Sequence, residues 1–336
     1  MPEQPERRYR GAIIGLGGVA RQAHLPAFQL PAASRLEIVA ALDPSPQAAA
    51  PPGVPILGDL AELTRLDLDF VDICTPTSSH LDLTLWALQH GLHVLCEKPV
   101  ALNPDEAARI CRAAAAAGRV VMPCHQYRFN PVWRRVRHWL DAGAIGRWYL
   151  AEFDVYRIVA DPGSGHSSPP WRGRAADARG GVLLDHGTHL VYQLLDVAGP
   201  PTLVRSWSGR LRHDTYDVED TAHLLFEFPG RMAKMFLTWA GQRRENRIRF
   251  TGDLGSIDWS GGMLTLDRDG TTEQFDHSAE LRKESYGAWF ADLFATFADA
   301  METGNPEPMN DIARVAKVLD LAYSSRGDGV ALAASA

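Results

Sequence analysis

The sequence predicts an α/β protein in two parts, a doubly wound parallel sheet followed by a largely antiparallel one. Three observations carry this reading. Short apolar runs alternate with helical stretches up to about residue 124, a glycine turn directly follows the first run, and consecutive strand-like segments dominate the remainder. In the first part, residues 9–14, 36–42, 68–75, 92–96 and 119–122 are the predicted strands. Helix signals separate the last three. Residues 79–89 repeat apolar side chains at helical spacing and stop at Gly91, while Asn103-Pro104-Asp105-Glu106 offers a cap, a first-turn proline and a capping-box glutamate, with Gly118 as the stop.

Beyond Pro123 the pattern changes. Asn130-Pro131 opens a helix that runs to Gly143, and strands are predicted over 147–157, 203–210, 221–228, 232–239, 247–251, 256–259 and 263–267. Turn residues divide them, as in Phe228-Pro229-Gly230, Ser260-Gly261-Gly262 and Asp269-Gly270, which favours antiparallel pairing. Two helices, 286–301 and 310–325, close the chain. The expected division is a loose tail over 1–8, a first domain over 9–124 and a second over 125–336. A Gly/Ser/Pro-rich segment, 161–170, is placed to fold over a site.

The 336 residues are 46% hydrophobic and 22% charged, the profile of a globular chain with about two cores. Thirty-four Lys and Arg against 41 Asp and Glu leave a net charge of −7, which argues against a nucleic-acid partner. Arg134, Arg135 and Arg137 share a helix with Trp133 and Trp139 and read as its solvated face. No apolar run approaches the roughly 18 residues that cross a bilayer, so no membrane partner is expected. The polar start carries no secretory signal. Cys74, Cys96, Cys111 and Cys124 contain no Cys-x-x-Cys pair and are expected to be reduced, in a cytoplasmic protein. His186 and His189 lack the further ligands of a metal site, and no metal is expected.

Four segments carry candidate chemistry. Gly15-Leu16-Gly17-Gly18-Val19-Ala20 follows a strand and opens a helix, so its backbone is suited to approach a pyrophosphate and its helix N-terminus to donate N–H groups. Asp43 ends the next strand 23 residues after Ala20, close to the roughly 20 expected of the acid that binds a ribose diol. That acid favours NAD, while Ser45 keeps NADP open. Cys74-Thr75-Pro76-Thr77-Ser78-Ser79-His80 lies at a strand's carboxyl end, where ligands bind in open α/β sheets; equally, Thr77 or Ser78 is a simple helix cap and His80 a surface residue. Glu97-Lys98-Pro99 offers either a desolvated lysine suited to acid/base work or a solvated pair in a turn. In Gly180-Gly181-Val182-Leu183-Leu184-Asp185-His186-Gly187-Thr188-His189, Asp185 and His189 stand four apart at a helix start. They are expected on one face, with the helix N-terminus keeping His189 neutral; the plainer reading makes Asp185 a cap and His189 an interior residue.

Taken together these segments resemble the family of glucose–fructose oxidoreductase, inositol 2-dehydrogenase and rhizopine-catabolism oxidoreductases (Gfo/Idh/MocA). The resemblance runs from Gly11 to about Val330. It rests on the glycine turn with His24-Leu25-Pro26, Thr75-Pro76…His80, Glu97-Lys98-Pro99, Tyr127-Arg128-Phe129-Asn130-Pro131, Trp171-Arg172, Gly180-Gly181…Asp185…His189 and Gly304…Pro308. It implies a Rossmann domain followed by an α/β domain with a large, open, mostly antiparallel sheet, which commonly joins subunits into a homodimer or homotetramer. It also implies that Thr75, Pro76, His80 and Glu97 contact the dinucleotide, and that Lys98 lies between nicotinamide and substrate with Asp185 and His189 opposite. Arg128, Trp171 and Arg172 are implied pocket or cofactor contacts, and the Lys98–Pro99 peptide is often cis in such proteins.

The implied activity is hydride transfer between NAD, or NADP, and a hydroxyl or keto carbon of a sugar, sugar derivative or cyclitol. In oxidation His189 or Lys98 accepts the hydroxyl proton, and Asp185 orients His189 or a substrate hydroxyl. Two departures stand out: Tyr192 occupies a place where many such dehydrogenases carry an acid, and residues 44–58 are proline-rich where a full helix is usual. Two alternatives remain at this point, an NAD-dependent glycosidase-type reaction with transient oxidation, and a non-enzymatic dinucleotide sensor.

Overall fold

The computed structural model describes residues 7–160, 170–279 and 285–325. Residues 1–6 of the expected tail and 161–169 of the expected covering segment lie outside these. The chain opens with strand β1 (Tyr9–Ile14), the glycine turn, a π-helical turn (Ala20–His24) and the short α1 (Leu25–Ala27). A regular helix was expected after the turn. Pro26 has no N–H to return to the preceding turn, and the chain winds more loosely there. Then follow β2 (Leu36–Leu42), β3 (Ile56–Leu57), α2 (Leu60–Leu63), β4 (Phe70–Ile73), α3 (His80–Gln89), β5 (His93–Cys96), α4 (Pro104–Ala117) and β6 (Val121–Pro123). The cap of α4 forms as its sequence suggests. Asn103 accepts from the Glu106 N–H at 2.9 Å, and Glu106 reaches back to the Leu102 N–H at 3.0 Å.

The six strands are parallel in the order β3-β2-β1-β4-β5-β6. The chain reverses its winding at β1, so a crevice opens beyond the carboxyl ends of β1 and β4. Strands in such a sheet are covered on both faces and read as continuous apolar runs. All four residues of β4 are buried, including Asp72, which is fully inaccessible. A lone acid in such a strand needs a partner, and it finds one below.

Helix α5 (Pro131–Asp141) leads to β7 (Trp148–Tyr156), α6 (Ala175–Ala178), a second π-helical turn (Leu183–Gly187) and α7 (Thr188–Ala198). Seven more strands follow: β8 (Leu203–Gly209), β9 (Thr221–Phe228), β10 (Arg231–Thr238), β11 (Glu245–Gly252), β12 (Gly255–Ser260), β13 (Met263–Arg268) and β14 (Thr271–Asp276). They form an eight-stranded sheet with β7, ordered β14-β13-β12-β11-β7-β10-β9-β8 and antiparallel except where β7 meets β10. Strand β14 was not expected. Its residues Thr271-Thr272-Glu273-Gln274 are all exposed at the sheet edge, where nothing imposes an apolar pattern.

One face of this sheet buries Phe153, Phe226, Phe250 and Leu237 against Trp133 and Val136 of α5 and Leu190 and Val191 of α7. The last two helices, α8 (Tyr286–Thr303) and α9 (Glu307–Ser324), turn back to the parallel sheet. Phe290, Phe294 and Phe297 of α8 join Phe28, Phe70 and Leu95 in one cluster, with Phe28 and Phe294 stacked at 4.3 Å. Phe294 is fully buried, so Phe294→Ala should cost about 3–5 kcal/mol in urea unfolding. A loss below 1 kcal/mol would mean that α8 is not part of this core.

Candidate active site

Four carboxyl ends of the parallel sheet converge on the crevice. After β1, Gly15 has a φ of +93°, and a side chain there would meet the carbonyl carbon of Cys74 at 2.9 Å. Its glycine therefore lets β1 and β4 approach each other. Gly17 and Gly18 face open space instead, with nothing within 4 Å of an added Cβ. This is the cradle that a pyrophosphate needs at a helix start. Val19 is partly buried, and Ala20, fully buried, permits close packing of the turn on the sheet. After β2, Asp43 accepts the Leu16 N–H at 2.6 Å and the Ser45 N–H at 2.8 Å, locking the glycine turn against the second strand. These residues fit a dinucleotide.

After β4, Pro76 is exposed while Thr75 takes the Ser79 hydroxyl at 2.7 Å. His80 is only 2% exposed, so it is no surface residue. Its ring nitrogens lie 2.9 Å from the Pro99 and Thr75 carbonyls, and burial favours its neutral form. A neutral ring donates to one carbonyl at a time. Neither Thr77 nor Ser78 caps α3 through its side chain.

After β5, Glu97 and Lys98 are not a solvated pair, because their side chains are 8% and 11% exposed. Glu97 accepts from the Lys98 N–H at 3.1 Å and lies 3.0 Å from His24 Nε2; the Lys98–Pro99 peptide is cis. Lys98 Nζ donates at 2.8 Å both to the backbone carbonyl and to Oδ1 of Asp185, crossing from the parallel half of the chain to the antiparallel half. Burial opposes the charge on Asp185, but Lys98, Arg172 and His186 overcome it and hold its carboxyl well below the usual range. Arg172 Nε and His186 Nδ1 lie 3.4 and 3.2 Å from that carboxylate, and Trp171 lies under the Arg172 guanidinium at 4.4 Å.

Asp185 lies close enough to act on the charge of His189, but the hydrogen bonds of the two side chains go elsewhere, to Lys98 and to Tyr192. The segment opens as the π-helical turn over Leu183–Gly187, with Gly181 and Leu183 N–H groups held by Glu219 at 3.0 and 3.3 Å. Glu219 is therefore the cap, and Asp185, two residues inside the turn, points to Lys98. A side chain on Gly181 would meet the Glu219 carbonyl oxygen at 1.8 Å, which explains the glycine. His189 Nδ1 lies 3.0 Å from the Tyr192 hydroxyl, which accepts the Tyr127 N–H at 3.1 Å. The residue that departs from the expected acid thus orients His189. Burial first, and Lys98 second, hold His189 well below the ordinary imidazole value, and it stands in the first turn of α7.

Arg128 is directed elsewhere: it pairs with Asp311 and lies 3.8 Å from Asp196, tying α7 to α9. Three residues escaped the sequence reading. Glu219 has no local signal, but Asp72 is a lone acid in an apolar strand and His24 belongs to the His24-Leu25-Pro26 string. Among the described residues Cys74, Cys96, Cys111 and Cys124 are all free thiols.

Comparison with known proteins agrees with this architecture. Residues 9–125 match the model of the oxidoreductase family with an NAD-binding Rossmann fold, and residues 133–258 match the GFO/IDH/MocA C-terminal domain. The chain belongs to the Gfo/Idh/MocA oxidoreductase family. Its first part is an NAD-binding Rossmann domain. It is 32% identical to D-glucoside 3-dehydrogenase of Escherichia coli (strain K12) over 241 residues, covering 65% of this chain and 66% of the relative. It is 25% identical to D-xylose 1-dehydrogenase (NADP(+)) 2 of Haloferax volcanii over 334 residues, covering 95% and 98%. Levoglucosan dehydrogenase, solved with NADH and levoglucosan, shares the fold with a TM-score of 0.81 at 21% identity, covering 95% of this chain and 96% of that one.

Because a Cβ on Gly17 meets nothing in the protein itself, Gly17→Ala should leave the ligand-free melting temperature nearly unchanged. The same variant should weaken NAD binding by roughly tenfold or more, as the methyl group enters the space of the pyrophosphate. Calorimetric titration with unchanged affinity would remove the turn from the cofactor site.

Proposed function

We propose that this protein is an NAD-dependent dehydrogenase or reductase of a sugar, sugar derivative or cyclitol, with NADP as the less favoured cofactor. The observation that carries the reading is the Lys98 ammonium held at 2.8 Å by two oxygens of Asp185, at the carboxyl end of β5 in the sheet whose switch point carries the glycine turn. An ammonium has three N–H groups, and Asp185 takes two, which leaves one for the reacting oxygen of a substrate. Relatives whose names specify a glucoside and xylose support a carbohydrate substrate.

Bound NAD supplies the hydride acceptor, or NADH the donor. Thr75, Pro76, His80 and Glu97 border its binding crevice, with Asp43 toward the ribose. Lys98 donates its remaining N–H to the substrate oxygen and stabilises the charge that develops there. Asp185 keeps that ammonium aimed. His189, neutral and turned by Tyr192, accepts the hydroxyl proton in oxidation and returns it in reduction. Trp171 and Arg172 line the substrate side, Arg172 through its contact with Asp185.

The outward face of the antiparallel sheet carries Trp207, Met232 and Leu203, each more than a third exposed, with Phe236 5.5 Å from Tyr156 and a Lys234–Glu152 pair at 2.8 Å. Exposed apolar side chains interspersed with paired charges on one sheet face support a homodimer or homotetramer joined through the sheet. Free thiols support a cytoplasmic setting, and among the described residues no helix is long and apolar enough to cross a membrane. The division of the chain falls near residue 124, with α8 returning to the first part.

Lys98→Met should lower kcat by about 100-fold or more, the scale of lost acid/base and electrostatic assistance, with NAD affinity retained. The assay is NADH formation across sugars, nucleotide sugars and cyclitols. Near-normal turnover in the variant would remove Lys98 from the chemistry. Hydrolysis of a glycoside without accumulating NADH would replace the dehydrogenase reading with a transient-oxidation one.

A further inference from the structure

Behind the crevice lies a charged cluster that the proposed reaction does not use. His24 is fully buried, at the end of the first π-helical turn. Its Nδ1 lies 2.8 Å from Asp72 Oδ2 in β4, and its Nε2 lies 3.0 Å from Glu97 Oε1 after β5. The other Glu97 oxygen receives the backbone N–H of Lys98 at 3.1 Å. The ring rests on Phe290 and Phe294 of α8 at 4.5 and 5.5 Å, so water is excluded on that side. Two buried carboxylates on opposite nitrogens of one imidazole are both satisfied when both nitrogens carry protons. Burial would favour the neutral ring, but Asp72 and Glu97 outweigh it and raise its pKa to about 10. Glu97 in turn stays ionised despite burial, because His24 and Lys98 face it.

We propose that His24 is a positioning residue for Lys98: clamped between Asp72 and Glu97, it fixes the charge and orientation of Glu97, which anchors the peptide from which Lys98 reaches Asp185. This rests on the role given to Lys98 above. Lys98 itself is faced by Asp185, Glu97, His80, His125, His186 and His189, with Arg172 on the far side of Asp185. Around His24 stand Asp72, Glu97 and the thiols of Cys74 and Cys124. Burial and the two carboxylates push both thiols up, so they stay protonated. The only cation between Asp72 and Glu97 among the described residues is His24. Without it, two buried carboxylates lose the cation that bridges them, and burial and like charge favour the protonated form of one.

The test is the pH dependence of kcat between pH 6 and 9.5, measured with the substrate found above, in His24→Gln and in the double variant His24→Gln/Asp72→Asn. In the single variant kcat should fall tenfold or more at pH 8 and acquire a new ionisation in this range, with the KM for NAD within about threefold. Removing the second carboxylate in the double variant should abolish that ionisation. A lower melting temperature accompanied by an unchanged pH profile would reduce His24 to a packing role and overturn the proposal. So would a stoichiometric metal in the purified wild-type protein, because the same side chains would then be ligands. Full turnover in Lys98→Met refutes the role given to Lys98 above, whereas loss there together with normal profiles in both His24 variants refutes only this inference.

Discussion

The contact on which the rest depends is the ion pair between Lys98 and Asp185. It joins a residue at the carboxyl end of β5 in the Rossmann sheet to one inside a π-helical turn of the second half, residues 87 apart in sequence. With side chains only 11% and 17% exposed, the pair gives up much hydration, so its net contribution to stability is small. Its value lies in direction. Two of three ammonium protons are fixed on oxygens that the fold holds in place, and only the third is left for a ligand. A preorganised donor costs little reorganisation when charge develops on a bound oxygen.

Each half of the molecule makes its own contribution to that geometry. The parallel sheet delivers Lys98 because β5 is pinned between β4 and β6, and because Glu97 and His24 anchor its carboxyl end from below. The antiparallel sheet delivers Asp185 indirectly. Glu219, just ahead of β9, holds the first N–H groups of the turn, and Gly181 allows the approach. Tyr192, on the same helix as His189 and held by the Tyr127 backbone N–H, turns the imidazole. The site therefore has a shell of orienting groups around a small number of reactive ones, as precise placement of side chains requires.

Most of the scaffold was legible in the sequence. Continuous apolar runs marked the parallel strands, Asn103-Pro104 and Gly118 bounded α4, and the glycine-containing turns marked hairpins of the second sheet. What escaped was set by tertiary contacts. The edge strand β14 has no buried face to pattern it. The π-helical turn at 183–187 is held by Glu219 and Lys98, partners that the i, i+4 spacing of Asp185 and His189 does not reveal. The pairing of Arg128 with Asp311 was not legible either, because its partner lies 183 residues away. The clearest lesson is Asp72. An acid inside a wholly buried strand required a cation, and His24 was within the recognised string.

The most direct test of the account is a crystal structure of the protein with NAD. The pyrophosphate is expected on the N–H groups at Gly17 and Gly18, and the nicotinamide ring beside Lys98, with the Lys98–Asp185 pair intact. A nicotinamide bound away from Lys98, or a lysine withdrawn from Asp185 and turned from the ring, would contradict it.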